Sequence, residues 1–273
     1  MTNTTKTTQT TPKTTSFNWK LFWLLLGMTL FGMLALTPYS LAMSGQSLDA
    51  TSPIQLAIQF VTQLIPMVLM IGLGLLMGKK LGLGAPLLDN WTNGISNKEN
   101  KKTFPKAIGL GILVSILIMV VDIFIFNPFV QKQLAGADVS QNVSAGPTAW
   151  QGFLASFYGG ITEEIMMRLF LMTLLVWLGS KIFRKNEGQP TAGIVWGAII
   201  LSTIAFGLGH LPTIISMGIS LTPLFIIRAL VLNSAGIAFG WLYWKYGLEH
   251  AMVSHFTADI VLHVIGVLFL GAL

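Results

Sequence analysis

The chain contains no cysteine. That one absence removes disulfides, a thiol nucleophile and thiolate metal ligands, and it leaves redox chemistry silent about compartment. Charge is nearly as scarce: 10% of residues are charged against 53% hydrophobic, and the mean hydropathy is +0.72. A soluble domain carries about a quarter charged residues, so this composition excludes one and implies a polytopic membrane protein. The net charge of +6 does not point to nucleic acid, because the basic residues gather in short connections between apolar segments.

Crossing a bilayer takes about 20 predominantly apolar residues. Seven segments qualify: Leu21–Met43, Ile54–Met77, Ala107–Phe129, Gly152–Phe183, Ala192–Gly218, Pro223–Trp244 and Ala251–Leu270. The expected fold is therefore an all-α, polytopic transmembrane helical bundle. Residues 1–18 read as a disordered, Thr-rich polar tail, and residues 19–273 as a single membrane-embedded helical domain. Ser40-Leu41-Ala42 has the small residues of a signal-peptide cleavage site. The apolar run before it is long and several spans follow, so the segment reads better as a retained span.

Lys and Arg alternate between connections. The tail holds Lys6, Lys13 and Lys20, the second connection Lys79, Lys80, Lys98, Lys101, Lys102 and Lys106, and the fourth Lys181, Arg184 and Lys185. Lys245 falls in the sixth, and the intervening connections hold only Lys132. This places the N-terminus in the cytoplasm and the C-terminus on the far side, in what reads as a bacterial cell membrane. The Lys79–Lys106 connection reads as irregular structure, given its Gly82, Gly84 and Pro86.

Several costly residues interrupt the apolar spans. Charges inside a membrane usually face a cavity, a partner or a functional pathway. The fourth span holds Glu163, Glu164 and Arg168. On an α-helix Glu164 and Arg168 share a face and can pair, while Glu163 lies about 100° around. One carboxylate neutralised by arginine beside one left free can hold a base in a low-dielectric cavity; an ion pair that merely locks helices is the rival reading. The fifth span carries Phe206-Gly-Leu-Gly-His210, with Gly207 and Gly209 permitting close backbone approach. The seventh carries His255, Asp259 and His263 at spacings of four, hence on one stripe. Asp122 and Arg228 read as a structural pair, Asn233 as an interhelical hydrogen bonder and His250 as a solvated turn residue.

The ordered set EExxxR, FxxxH and HxxxD on separate spans resembles the CPBP family of intramembrane proteases. That family includes type II CAAX prenyl endopeptidases and bacteriocin-processing and self-immunity proteins. The resemblance covers about Gly152–Asp259 and implies a membrane-embedded endopeptidase in which Glu163 and His210 activate water. His255 and Asp259 would complete the polar cluster, and Glu164, Arg168 and Phe206 would shape it. The family commonly has Asn at the last position; an ionised Asp259 cannot donate to an oxyanion as Asn can.

The cofactor stays open. Glu163, His210 and His255 could hold a divalent metal such as zinc with one free position, or hydrolysis could run on glutamate and histidine alone. The implied partners are a peptide or membrane-protein substrate and the lipid bilayer, with no nucleic acid. Two other classes compete: a non-enzymatic immunity or scaffold protein of the same fold, and a proton-coupled transporter. The missing internal repeat weighs against the transporter.

Depth poses a geometric problem. From the inside connections Glu163 and His210 lie about 20 residues deep, or about 30 Å of helix, whereas His255 lies a few residues past its turn. For them to meet, the hairpin of spans four and five projects outward and the turn between spans six and seven is recessed. The resulting cavity is expected to open towards the inside.

Overall fold

The computed structural model describes residues 16–46, 52–96, 100–135, 146–183, 190–216 and 220–270. The first fifteen residues of the expected tail lie outside these, as do Lys98, Arg184 and Lys185. The described residues form helices and contain no strand.

Among the described residues, seven helices have the length and apolar character to cross a membrane: α1 (Trp19–Met43), α2 (Pro53–Leu81), α4 (Phe104–Gln133), α5 (Ala149–Ile182), α6 (Ala192–Ile215), α7 (Pro223–Tyr246) and α8 (Leu248–Phe269). Between α2 and α4 lies the short α3 (Pro86–Thr92). Proline at the first helical positions opens α2, α3, α4 and α7, where the missing N–H costs no hydrogen bond. α2 stops at Gly82, whose φ of 68° suits a residue without a Cβ, with Lys79 and Lys80 in the last turn facing the negative end of the helix dipole.

Packing brings α5 to the centre. Its first half lies against α1 and α8, its second half against α2 and α6, and α8 also packs on α4 and α7. Small residues set these approaches. A Cβ on Gly74 would strike the Leu169 backbone, one on Gly111 the Ser254 backbone, and one on Gly240 the Ile199 side chain. Dispersion contacts of this kind, rather than hydrophobic burial, hold helices together in lipid. Gly207 abuts Leu230, but Gly209 faces open space, so only the first of that pair is needed for close packing.

The helices are not regular where the charges sit. π-helical turns run through Asp122–Phe126 in α4, Tyr158–Glu163 and Ile165–Met172 in α5, and Ile260–Gly266 in α8. Each begins at, contains or directly follows an intramembrane carboxylate, and such turns are frequent at functional sites. The α-helical angles expected around Glu163 and Glu164 are therefore corrected: their separation follows wider turns.

The Lys79–Lys106 connection is more ordered than its glycines suggest. α3 docks on the turn before α8, where the Leu248 amide donates to the Gly84 carbonyl at 2.9 Å and the Leu88 amide to Glu249 Oε1 at 2.7 Å. Asn18 ties the same helix to α1, its Nδ2 donating to Asp89 Oδ1 at 2.6 Å and to Thr92 Oγ1 at 2.9 Å. Leu248, Glu249 and His250 are buried. His250 is thus not solvated. It stacks on Phe104, and its Nε2 lies 2.6 Å from Thr103 Oγ1.

Asp122 and Arg228 form a two-armed pair, Nε to Oδ1 at 2.7 Å and Nη2 to Oδ2 at 2.6 Å, joining α4 to α7. Asn233 departs from expectation: its Nδ2 donates within its own helix, to the Ala229 carbonyl at 2.8 Å.

Candidate active site

His255 is the hub. Its Nδ1 donates to Glu164 Oε1 at 2.8 Å, while Nε2 lies 3.7 Å from Glu163 Oε2 and 3.6 Å from Asp259 Oδ1. One imidazole from α8 thus faces two carboxylates of α5 and one of its own helix. Phe239 of α7 stacks on the ring at a centroid distance of 4.6 Å, and Phe206 of α6 meets it edge-on at 5.7 Å. With two aromatic faces and a hydrogen bond at Nδ1, the ring has little freedom to turn, and Nε2 is directed at Glu163 and Asp259.

Glu164 and Arg168 are both wholly buried. Arg168 Nε lies 3.3 Å from Glu164 Oε2, close enough for an ion pair, yet none of the guanidinium nitrogens has an aligned hydrogen-bond partner. The contact is therefore electrostatic rather than a directed bond. Phe206 and Phe239 take up part of the remaining demand, with the guanidinium carbon 5.9 Å and 6.0 Å from their ring centres. The expected pairing of Glu164 with Arg168 is present; its second bond, to His255, is not evident from local spacing.

Glu163 differs from its neighbour. Its side chain keeps 18% of its surface exposed, against 1% for Glu164, so it has room for a small molecule. Asp259 fits because residue 159 is glycine: a Cβ there would overlap Asp259 Oδ2 and sit 3.3 Å from His255 Nε2. The π turn of α5 thus lays bare backbone against the site.

His210 caps the regular part of α6. Its Nδ1 donates to the Phe206 carbonyl at 2.8 Å, since a carbonyl can only accept, and this leaves Nε2 free to accept a proton or hold a water. Phe206 links it to the hub, meeting the His210 ring at 4.7 Å as well as His255. His210 therefore borders the cluster through an aromatic contact and not through a direct polar bond. Phe239 and Gly159 are the contributors that sequence reasoning did not single out; the only local signal was the Gly159-Gly160 pair just ahead of the glutamates.

Among the described residues, no group of three or more His, Asp or Glu side chains is arranged to hold a metal ion. The set Glu163, His210 and His255 is not assembled as a ligand sphere.

An apolar cavity of about 640 Å³ lies on the other side of the α5–α8 contact, at the α3 end. Met28, Trp91, Phe157, Gly160, Ile161 and Phe256 are among its walls. Gly160 and Phe256 directly follow Gly159 and His255 in sequence, so cavity and polar cluster share one thin partition.

Residues 145–261 match the family described as type II CAAX prenyl endopeptidase Rce1-like. The matched stretch includes Glu163, Glu164, Arg168, Phe206, His210, His255 and Asp259. No curated protein and no solved structure matches the chain.

Proposed function

We propose that this protein is an intramembrane endopeptidase of the CPBP type in which Glu163 activates water, a reading supported by the match of residues 145–261 to the Rce1-like type II CAAX prenyl endopeptidase family. The observation that carries the reading is the division of labour between adjacent glutamates. Glu164 is committed to Arg168 and His255, whereas Glu163 is accessible and points at an oriented imidazole.

In the proposed step a water between Glu163 and His210 loses a proton to Glu163, and its oxygen bonds to the scissile carbonyl carbon. A general base in hydrogen-bond reach contributes about 10²–10⁴ in rate. The carbonyl oxygen gains negative charge and needs a preorganised donor. His255 meets this when doubly protonated, donating from Nδ1 to Glu164 and from Nε2 towards the reacting centre. The C–N bond then breaks, and the proton held by Glu163 passes to the departing amine. Asp259 holds the Nε2 side of His255, and the Glu164–Arg168 pair fixes its Nδ1 side.

Substrate enters this reading as a peptide or membrane-protein segment, and the apolar cavity beside the site supports an apolar flank on it. Comparative proteomics of membranes from wild-type and Glu163→Ala cells tests the proposal. Uncleaved precursors are expected in the variant alone; identical termini in both membranes would favour a non-enzymatic protein of the same fold.

A further inference from the structure

The apolar cavity has a wall that does not come from the membrane spans. Leu87, Leu88 and Trp91 of α3 line it together with Gly160 of α5 and Met252 and Phe256 of α8. At seven residues α3 is well below the length at which a helix stands alone, so its place depends on what it is tied to. Its N-cap, Ala85, has no side chain that can accept from the first free amides. Glu249 of α8 supplies the acceptor from another helix: the Leu88 amide donates to its Oε1 at 2.7 Å. The Glu249 side chain is buried and itself lines the cavity. Gly247 lets the two elements meet, since a Cβ there would strike Pro86 at the start of α3. At the other end of α3, Asn18 holds Asp89 and Thr92.

We infer that Glu249 is a positioning residue for substrate, acting through α3. By holding the Leu88 amide it keeps the α3 wall against the cavity, and so sets the fit of the apolar residues that flank the scissile bond. The inference rests on the hydrolytic reading above. Placement gives it effect: Gly160 and Phe256 directly follow Gly159 and His255, so a flank seated against α3 lies beside the polar cluster. The wall also comes from outside the matched region, since α3 precedes residues 145–261. Glu249 acts on the wall and not on the reacting atoms, so its removal weakens binding and spares the chemical step.

Two synthetic peptides separate the wall from the chemistry. The first spans the junction of a precursor that accumulates in Glu163→Ala membranes; the second is identical except that the apolar residues beside the junction are alanine. Cleavage is followed in proteoliposomes of the full chain. Wild type is expected to show a KM about tenfold higher for the alanine peptide, the scale of one buried apolar side chain. Glu249→Ala is expected to raise KM for the first peptide by a similar factor, to leave KM for the alanine peptide where it was, and to keep kcat for both. Glu249→Gln retains an acceptor for the Leu88 amide and is expected to restore KM for the first peptide. Trp91→Ala, at an exposed position of the wall, guards against misfolding of the buried variant and is expected to raise KM for the first peptide alone. Equal KM for the two peptides in wild type, an equal effect of Glu249→Ala or Trp91→Ala on both, or no rescue by Glu249→Gln would overturn the positioning role. Failure of the hydrolytic reading is distinct: it would appear as cleavage of the first peptide by Glu163→Gln at the wild-type rate.

Discussion

Glu164 accepts a 2.8 Å hydrogen bond from His255 Nδ1 across 91 residues of sequence. The same carboxylate lies 3.3 Å from Arg168, so one buried side chain holds an arginine on one side and the central imidazole on the other. Glu163, one residue earlier, takes no part in either contact. The adjacent glutamates are thus distinguished by their partners and not by their chemistry.

That difference predicts unequal costs. Glu164→Gln leaves Arg168 buried without its counter-charge, a loss on the order of 3–5 kcal/mol, and it weakens the hold on His255. Glu163→Gln removes a more exposed group, and the buried imidazole beside it, His255, keeps Glu164 and Asp259 as partners. Thermal unfolding in detergent is expected to show a large drop for the first and a near-native transition for the second. Equal drops would mean that Glu163 is as structural as its neighbour.

Gly159 gives a second prediction. A methyl group at this position overlaps Asp259 Oδ2 and crowds His255 Nε2, so Gly159→Ala must displace Asp259 or the π turn. Overpacking of this kind costs about 1–3 kcal/mol. Turnover is expected to fall by more than the loss of folded protein explains. Normal activity in Gly159→Ala would show that the position of Asp259 is unimportant.

Much of the architecture was legible because hydropathy over twenty residues reports span existence directly. The seven apolar runs appear as seven long helices, and Asp122 and Arg228 found each other because two lone charges in lipid have few alternatives. What escaped was of two kinds. An α-helical period misplaces the local geometry around Glu163 and Asp259, because π turns break that period without a composition signal. Long-range partners were also hidden: nothing near Glu164 announces His255, and nothing near His250 announces the Phe104 ring that buries it. The α3 segment, Pro86–Thr92, is too short and too polar for periodicity to separate it from a loop.

The basic connections predict topology. Asn93 is exposed just after α3, and the chain has no cysteine to interfere. A cysteine placed at Asn93 is expected to react with a membrane-impermeant maleimide in inverted vesicles and not in intact cells. Labelling from outside intact cells would reverse the orientation drawn from the Lys/Arg distribution.

Asp259 addresses the metal question. If hydrolysis uses Glu163 and His210 without a cation, purified protein contains no stoichiometric zinc, and Asp259→Asn is tolerated or improves turnover, since an amide can donate to the oxyanion. If zinc is instead held, Asp259→Asn weakens its binding because a neutral amide is a poorer ligand. Elemental analysis of both proteins distinguishes the cases. Stoichiometric zinc whose chelation removes activity, and whose return restores it, would contradict the metal-free mechanism.

The central claim is that Glu163 is the group that makes water a nucleophile. Its most direct measurement is single-turnover cleavage, in proteoliposomes, of a peptide spanning the processed junction, comparing wild type with Glu163→Gln. The account predicts cleavage by the wild type and a loss of at least about 10²-fold in the variant, at matched folded protein and matched peptide binding. Cleavage by Glu163→Gln at the wild-type rate would contradict it.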